Sequence, residues 1–212
     1  MNFEYADRVI KDMNRRNLRA FDRLKPLKFD ELNVFRSVSK VYDDSVALAK
    51  KRYLQIAREA FEAALILCGV KPEKAEEQAE ETIMDDWILD MMEDYDPVTL
   101  YQFLPEAERK KQRLVEALIA SHNKGEEVDK ALRLWTLQIA QYADRSVVDA
   151  TVEGYKEAGV KKVRWVALED EKVCPVCAKR DGKIYAIGKI PTRPHYHCRC
   201  VLEPILKEPY DA

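Results

Sequence analysis

The chain has 212 residues, of which 47% are hydrophobic and 35% are charged, and it contains 6 glycines. A charged fraction above the roughly 25% of an average domain, together with so few glycines, excludes a collagen-like chain, a Gly/Ser linker and a turn-rich β-sandwich. The formal net charge of −2 excludes a uniformly basic protein that coats nucleic acid. We therefore expect a mostly helical intracellular protein.

Charge is distributed unevenly along the chain. Residues 1–60 carry a net charge of +5, residues 61–160 carry −11 and residues 161–212 carry +4. An acidic middle between two basic ends is a hint about partners, although solvated helix faces produce the same pattern. Charged residues also recur too often for a membrane span, which needs about 20 apolar residues, and the first thirty residues contain no apolar signal-peptide core.

Apolar residues recur every three to four positions through the first 160 residues, and this spacing predicts helices. Pro72 suits the first turn of a helix, and Gly69 and Gly159 suit the residue that follows a helix end. The predicted helices, in chain order, are residues 4–24, 30–68, 72–95, 105–122 and 126–158.

The helix at 30–68 carries the longest apolar stripe, and Asp30 is a candidate N-cap. We expect this helix to pack on several helices of the chain or on another chain, which makes self-association through it a candidate interaction. The stripe consists of Leu32, Phe35, Tyr42, Val46, Ala49, Tyr53, Ile56, Ala60, Ala63 and Leu67.

The pattern changes at Val160. Residues 162–168 are β-branched and aromatic and predict a strand, residues 183–187 and 200–206 are further strand candidates, and Pro204 confines the last to a sheet edge. We divide the chain into a helical body (1–159) and a small module (160–212). So short a module buries little core without a metal or disulfide staple. The predicted fold class is mainly α with a small C-terminal α+β zinc-binding module.

The module contains a cluster of cysteines and histidines. A CxxC turn is followed, after seventeen residues, by a segment with two histidines and two cysteines. Structural zinc takes four nitrogen or sulfur ligands, commonly as two pairs about 12–20 residues apart. The preferred ligands are Cys174, Cys177, His195 and Cys198, with Cys200 and His197 as substitutes.

Core thiols, disulfides and a redox-active CxxC are less favoured roles for these cysteines. Core thiols are usually scattered, disulfides need an oxidising compartment, and a redox-active CxxC is expected within a βαβ pattern that is absent here. Four protein ligands predict a closed, structural zinc site without the open position that catalytic zinc keeps. Cys68 stands alone on a helix, and we interpret it as an ordinary small apolar residue.

The module resembles a known family. Trp165, the segment DEKVCPVC at 170–177, the turn DGKIY at 181–185 and the segment PHYHCRC at 194–200 occur in the order typical of Mu F-like phage minor head proteins, the head morphogenesis family. The resemblance extends over about residues 143–204. Tyr196 and His197 stand where the family commonly has Pro-Asn, which leaves open which histidine binds metal.

The resemblance implies a structural role in the virion. Members of the family are present in a few copies inside the capsid, associate with the portal and assist head assembly or DNA delivery. We therefore expect a phage or prophage protein of the capsid interior, and of the host cytoplasm during assembly, with portal and capsid proteins as partners. Packaged DNA is a further candidate partner. The candidate phosphate contacts, chosen by charge alone, are Arg180, Lys183, Lys189, Arg193 and Arg199, although such charges more commonly form a solvated basic face.

Two alternative functions have specific sequence requirements. A zinc-dependent nuclease or toxin-like enzyme needs a metal-binding helix with a catalytic histidine, but Pro204 and Pro209 follow the second half-site closely. P-loop, dinucleotide, nucleophile-elbow and HExxH motifs are all absent. A zinc-bearing DNA-binding regulator needs a recognition helix beside the zinc turn, where we predict strands and loops. We expect no enzymatic activity.

Overall fold

The computed structural model describes residues 3–24, 31–94, 96, 102–120, 125–167, 173–195 and 198–206. Helices make up most of these residues, and a small three-stranded sheet lies near the carboxyl end, so the predicted mainly α fold with a small C-terminal α+β module is confirmed. The helices are α1 (Glu4–Asp22), α2 (Glu31–Leu67), α3 (Pro72–Thr82), α4 (Asp85–Glu93), α5 (Phe103–Ala120), α6 (Gly125–Glu157) and α7 (Pro175–Arg180). The strands are β1 (Lys162–Val166), β2 (Ile184–Ala186) and β3 (Val201–Pro204), with a 3-10 turn at Ile187–Lys189.

Helix α2 is the central element of the body. Its 37 residues extend about 55 Å, and it packs against α1, α3, α4, α5 and α6. The apolar stripe is therefore largely covered by helices of the same chain. None of the helices that the structure describes is both long and apolar enough to span a bilayer.

The predicted stripe is right in the middle of α2 and wrong near its ends. Tyr42 and Tyr53 are buried as expected, but Phe35 and Leu67 are 47% and 54% exposed. Phe61, which is not part of the predicted stripe, is fully buried. A helix has 3.6 residues per turn, so a buried face extended at a fixed spacing drifts around a helix of this length. The predicted N-cap Asp30 lies outside the described residues.

Aromatic side chains form the centre of the helical core. The rings of Tyr42 and Trp135 lie 4.8 Å apart, and those of Phe103 and Tyr142 lie 4.9 Å apart. The Trp135 indole donates a hydrogen bond to Ser45 Oγ at 3.1 Å, which satisfies a buried polar group that α6 brings into the core. Helices α2, α5 and α6 thus share one packed interior.

The predicted helix at 72–95 is two helices. Ile83, between α3 and α4, is fully buried and has a non-helical backbone (φ −95°, ψ 83°). Its carbonyl oxygen accepts a hydrogen bond from Arg58 Nε on α2 at 2.8 Å. Burial of Ile83 and this contact with α2 accompany a break that no proline or glycine marks in the sequence.

The carboxyl-terminal module is built on β1. Its neighbours β2 and β3 both run antiparallel to it, in the order β2-β1-β3, so β3 with its Pro204 is an edge strand as predicted. The residues of β1 alternate, with Val163 and Trp165 buried and Lys162 and Arg164 exposed. We expected only strands and loops around the CxxC turn, and this is wrong at one point. The turn leads into α7, a helix of six residues that begins directly after Cys174.

A second, smaller core joins the module to the body. Val163, Trp165 and three cysteines pack with Tyr155 of α6 and Ala64 of α2. The Tyr155 hydroxyl donates a hydrogen bond to the Leu202 carbonyl oxygen at 3.0 Å. Gly159 has the predicted left-handed backbone (φ +76°) after α6. The sequence boundary between 159 and 160 therefore lies beside a core to which both parts contribute.

Candidate metal centre

The CxxC turn is held at the amino end of α7. Cys174 is the N-cap of this helix, and its Sγ accepts a hydrogen bond from the Cys177 backbone N–H at 3.2 Å. Pro175 occupies the first helical turn, where its missing N–H is not needed. Pro175 and the short helix thereby place both sulfurs on one side of the turn. The helix ends at Arg180, and the side chain of the next residue, Asp181, accepts a hydrogen bond from the Ala167 backbone N–H at 2.8 Å.

The second half of the site is the extended segment before β3. Arg193 donates hydrogen bonds to the carbonyl oxygens of Cys198 and Cys200, the latter at 2.8 Å. This guanidinium holds the backbone on both sides of Arg199. Cys198 and Cys200 are 3% and 4% exposed, so both thiols lie in the interior of the module.

The structure brings five sulfur and nitrogen donors together. Cys174, Cys177 and His195 form one group, and Cys177, Cys198 and Cys200 form another; within each group all donor atoms lie within 4.8 Å of one another. Cys177 belongs to both groups. The preferred ligands and the substitute Cys200 are therefore all at this site, whereas His197 lies outside the described residues.

Two of the donor separations match those expected around a tetrahedral metal ion. With bonds of about 2.3 Å to sulfur and about 2.0 Å to nitrogen, tetrahedral zinc separates two sulfurs by about 3.8 Å and a sulfur from a nitrogen by about 3.5 Å. Cys177 Sγ lies 3.6 Å from Cys198 Sγ and 3.7 Å from His195 Nε2. All five cysteines of the chain are free thiols. The residues present therefore fit a metal ion.

The environment of the thiols differs across the site. Burial, together with hydrogen bonds to its neighbouring thiols, raises the pKa of Cys177, and burial also raises the pKa of Cys200. Desolvation opposes ionisation of Cys174 as well, but hydrogen bonds from the backbone and side chain of Cys177 and from the Val176 N–H outweigh it and lower the pKa of Cys174 to about 7. Crowded buried thiols lose their protons readily only when a cation neutralises them, which a coordinated metal ion does.

Cys68 is not part of the cluster. It is half-buried at the end of α2, packs against the second core, and burial raises the pKa of its thiol. This environment agrees with the interpretation of Cys68 as a small apolar residue.

The predicted phosphate contacts fall into two groups. Arg193 and Arg199 make contacts inside the protein, and Arg180 donates a hydrogen bond to the Thr192 carbonyl oxygen at 2.6 Å and lies 5.0 Å from the Trp165 ring centroid. Lys183 and Lys189 are exposed.

Sequence reasoning missed the attachment of the cluster to α1. Arg199 donates hydrogen bonds to both carboxylate oxygens of Asp7, at 2.5 and 3.1 Å, and lies 3.8 Å from Asp144 of α6. The guanidinium carbons of Arg193 and Arg199 lie 5.6 and 4.9 Å from the centroid of the Phe3 ring. These contacts join residues almost 200 positions apart, and no local pattern indicates them.

A cavity of about 680 Å³ lies beside the cluster, between α4, α6 and the loop that precedes Cys198. His195 and Cys198 form part of its wall. Its acidic lining residues are Asp90, Asp94, Asp96, Asp144, Asp149 and Glu153, and its basic ones are Arg145, Lys156 and Arg193. The predominantly acidic middle of the sequence thus faces the donor cluster across an open space.

Residues 112–203 match the family described as Phage Mu protein F like protein. The chain is Mu F-like over this segment. The match confirms the resemblance seen in the sequence and extends it upstream through α6 into α5. Neither a curated protein nor a solved structure matches the chain.

The Mu F-like segment contains the complete donor cluster, the three strands and the helix that supplies Tyr155 to the second core. The family indicates a phage head-related protein that is associated with the virion. Helices α1 to α4 lie outside the matched segment, yet α1 contacts Arg199, between two cysteines of the cluster, through Asp7.

Proposed function

We propose that this protein is a minor head protein of a phage or prophage, with a structural role in head morphogenesis. The observation that carries the proposal is the coincidence of the Mu F-like match with the buried donor cluster. The proposed partners are the portal and capsid proteins, and the proposed location is the capsid interior. A module that is stabilised by a metal ion and fixed to a long helical body is better suited to bind other virion proteins than to catalyse a reaction.

The ion that we propose for the cluster is structural zinc. Its donors are thiolates and an imidazole, which zinc prefers, and the measured separations suit tetrahedral coordination. When bound, zinc would act as a Lewis acid that neutralises the charge of the cysteine thiolates, and it would hold the CxxC turn against the segment before β3. Cys177, the donor common to both groups, lies at the centre of this arrangement.

Assembly with the virion proteins tests the proposed function. The full chain is expressed together with the portal and major capsid proteins of the phage or prophage that encodes it, and assembled heads are purified. We expect the chain to copurify with portal-containing heads in fewer copies than the capsid protein, and to do so less well as Cys177→Ser than as the control Cys68→Ser. Heads that assemble with the portal and contain none of this chain would contradict the proposal.

We propose a protein surface rather than DNA as the main partner of the module. Three of the five candidate phosphate contacts, Arg180, Arg193 and Arg199, are engaged in hydrogen bonds within the chain, and acidic residues outnumber basic ones in the wall beside the cluster. A protein that binds DNA mainly through phosphates loses affinity steeply as salt rises. We expect weak DNA binding that changes little when Lys183 and Lys189 are replaced by glutamine. Tight, strongly salt-dependent binding that these two changes abolish would instead support DNA as a partner.

The cavity beside His195 makes the enzymatic alternative testable. A catalytic metal needs an open coordination position, whereas three of the five donors here are buried: Cys177, Cys198 and Cys200. We therefore propose that the protein is not an enzyme, and we expect no hydrolysis of DNA by the metal-loaded chain. Metal-dependent cleavage that disappears in His195→Ala would establish a nuclease.

A further inference from the structure

The indole N–H of Trp165 is an unsatisfied polar group in the interior of the module. Trp165 is 1% exposed on β1, and its Nε1 is shielded from solvent without a hydrogen-bond partner of normal geometry. Leaving a buried donor unpaired destabilises a protein by about 1–3 kcal/mol. The other fully buried tryptophan, Trp135, does donate a hydrogen bond, to Ser45 Oγ. A good acceptor close to this N–H would remove that cost.

The Cys200 thiol lies in the right place to be that partner. In the β1–β3 register Trp165 is paired with Leu202, and Cys200 precedes Leu202 by two residues, so an extended chain puts Cys200 diagonally across from Trp165 on the same face. Trp165, Leu202 and Cys200 all belong to the second core.

Cys200 belongs to the more deeply buried of the two donor groups. Its companions Cys177 and Cys198 are 1% and 3% exposed, whereas Cys174 and His195 are only half-buried. A neutral thiol is a weak hydrogen-bond acceptor, but a metal-bound thiolate is a strong one. A metal ion that recruits Cys200 would therefore satisfy the indole N–H and the three crowded thiols together.

We propose that Cys200 is a metal ligand in its own right, and that the Trp165 indole N–H is the positioning group that donates a hydrogen bond to its thiolate. The inference rests on the metal centre described under the proposed function. It moves Cys200 from a substitute to a ligand beside Cys177 and Cys198, and leaves the fourth position to the half-buried pair Cys174 and His195. Groups that support a ligand in this way commonly change metal affinity by about 10–100-fold.

The first test removes the N–H and keeps an aromatic ring. Full-length wild type, Trp165→Phe and Trp135→Phe are stripped of metal, and their zinc affinities are measured by competition with a chromogenic chelator. We expect Trp165→Phe to weaken zinc binding about 10–100-fold and Trp135→Phe, which loses a hydrogen bond remote from the cluster, to leave it unchanged. Equal affinities of wild type and Trp165→Phe would overturn the inference.

The second test counts thiolates and does not depend on how Trp165→Phe folds. Cobalt(II) is bound to wild type, Cys200→Ser and Cys68→Ser, and the intensity of the sulfur-to-cobalt charge-transfer absorption is compared. We expect Cys200→Ser to lose the contribution of one thiolate and Cys68→Ser to lose none. An unchanged intensity in Cys200→Ser would overturn the assignment of Cys200 as a ligand.

A double variant links the two residues. If the indole acts through the Cys200 sulfur, the double variant Trp165→Phe/Cys200→Ser binds zinc with the same affinity as Cys200→Ser alone. A double variant whose loss of affinity is the sum of the two single losses would contradict this interpretation. Failure of the inference is distinct from failure of the metal centre. If only the inference fails, wild type binds one metal ion per chain, and Trp165→Phe and Cys200→Ser leave this binding unchanged. If the metal centre itself fails, wild type binds no metal ion.

Discussion

Arg199 and Asp7 join the two ends of the chain. Arg199 stands between two cysteines of the donor cluster, and its guanidinium donates hydrogen bonds at 2.5 and 3.1 Å to a carboxylate on the first helix, 192 residues away. The Phe3 ring packs against both Arg193 and Arg199. Since Arg193 also holds the backbone of Cys198 and Cys200, the order of the metal-binding segment and the position of α1 depend on the same two arginines.

We expect the Arg199–Asp7 pair to contribute measurably to stability. The two side chains are 29% and 40% exposed, so solvent screens the pair and a coupling energy of about 0.5–1 kcal/mol is appropriate for this two-pronged contact. A double-mutant cycle of Asp7→Asn and Arg199→Ala in urea unfolding measures it. Arg16→Ala removes an exposed pair on the same helix and should cost less than about 0.5 kcal/mol. Strict additivity at positions 7 and 199 would show that the pair contributes nothing.

Much of this architecture is predictable because its signals are local. The pattern of prolines and glycines indicates helix ends such as those near Pro72 and Gly159, and the alternation around Trp165 identifies β1. The CxxC turn and the downstream cysteines place the donor cluster in the correct segment. Each of these features depends on residues within a few positions of one another.

The rest depends on contacts that sequence spacing does not contain. The break at Ile83 accompanies its burial and a contact with Arg58, and α7 depends on a cysteine that caps a helix with its sulfur. The partner of Arg199 lies at the opposite end of the chain. Local patterns therefore predict which residues form the donor cluster, whereas its attachment to the body follows only from the folded structure.

Replacement of Cys177, a proposed metal ligand, should disorder the module and leave the helical body folded. Metal binding supplies folding energy to small modules of this kind, and Cys177 belongs to both donor groups. We expect wild type to bind about one zinc per chain and Cys177→Ser to lose the metal and the ordered environment of Trp165, while most of the far-ultraviolet helical signal remains. Elemental analysis and circular dichroism measure these properties.

Cys68→Ser is the matched control for this change, because Cys68 is a free thiol outside the cluster. It should keep both the metal and the signal of Trp165. Wild-type protein whose cysteines are paired in disulfides and which contains no metal would contradict the proposed zinc centre. A loss of most of the helical signal in Cys177→Ser, together with the loss of the metal, would show that the body does not fold without the module.

Gly154 permits the close approach of α6 to α2. A Cβ atom added there would lie 2.8 Å from the Phe61 carbonyl oxygen and 2.9 Å from Ala64 Cβ, and the carbonyl belongs to the rigid backbone of α2. Alanine favours a helix by about 1 kcal/mol relative to glycine, but we expect the clash to dominate and Gly154→Ala to destabilise the protein by about 1–3 kcal/mol. Urea unfolding measures this change.

Gly188→Ala provides the comparison, since a Cβ at Gly188 meets nothing within 4 Å. Its effect on the free energy of unfolding should stay within about 0.5 kcal/mol. A stabilised Gly154→Ala would mean that α2 and α6 can separate at this point without loss of packing.

Lys110 should make the stability of the helical body depend on pH in the alkaline range. Its side chain is 6% exposed on α5, and its ammonium group donates a hydrogen bond to Gln138 Oε1 at 2.7 Å, yet burial lowers the pKa of Lys110 from 10.5 to about 8. The pKa is thus lower in the folded protein than in the unfolded chain. Between about pH 8 and 10.5 the unfolded chain binds more protons, so the free energy of unfolding rises with pH in this window.

The variant Lys110→Met isolates this contribution, because every other titrating group is common to both proteins. We expect the stability of wild type relative to Lys110→Met to increase from pH 8 to 10.5 by up to about 3 kcal/mol, and to be constant below pH 7, where Lys110 is charged in both states. Urea unfolding at a series of pH values gives the difference directly. Parallel curves, or a relative stability that falls as pH rises, would show that Lys110 retains an ordinary pKa in the core.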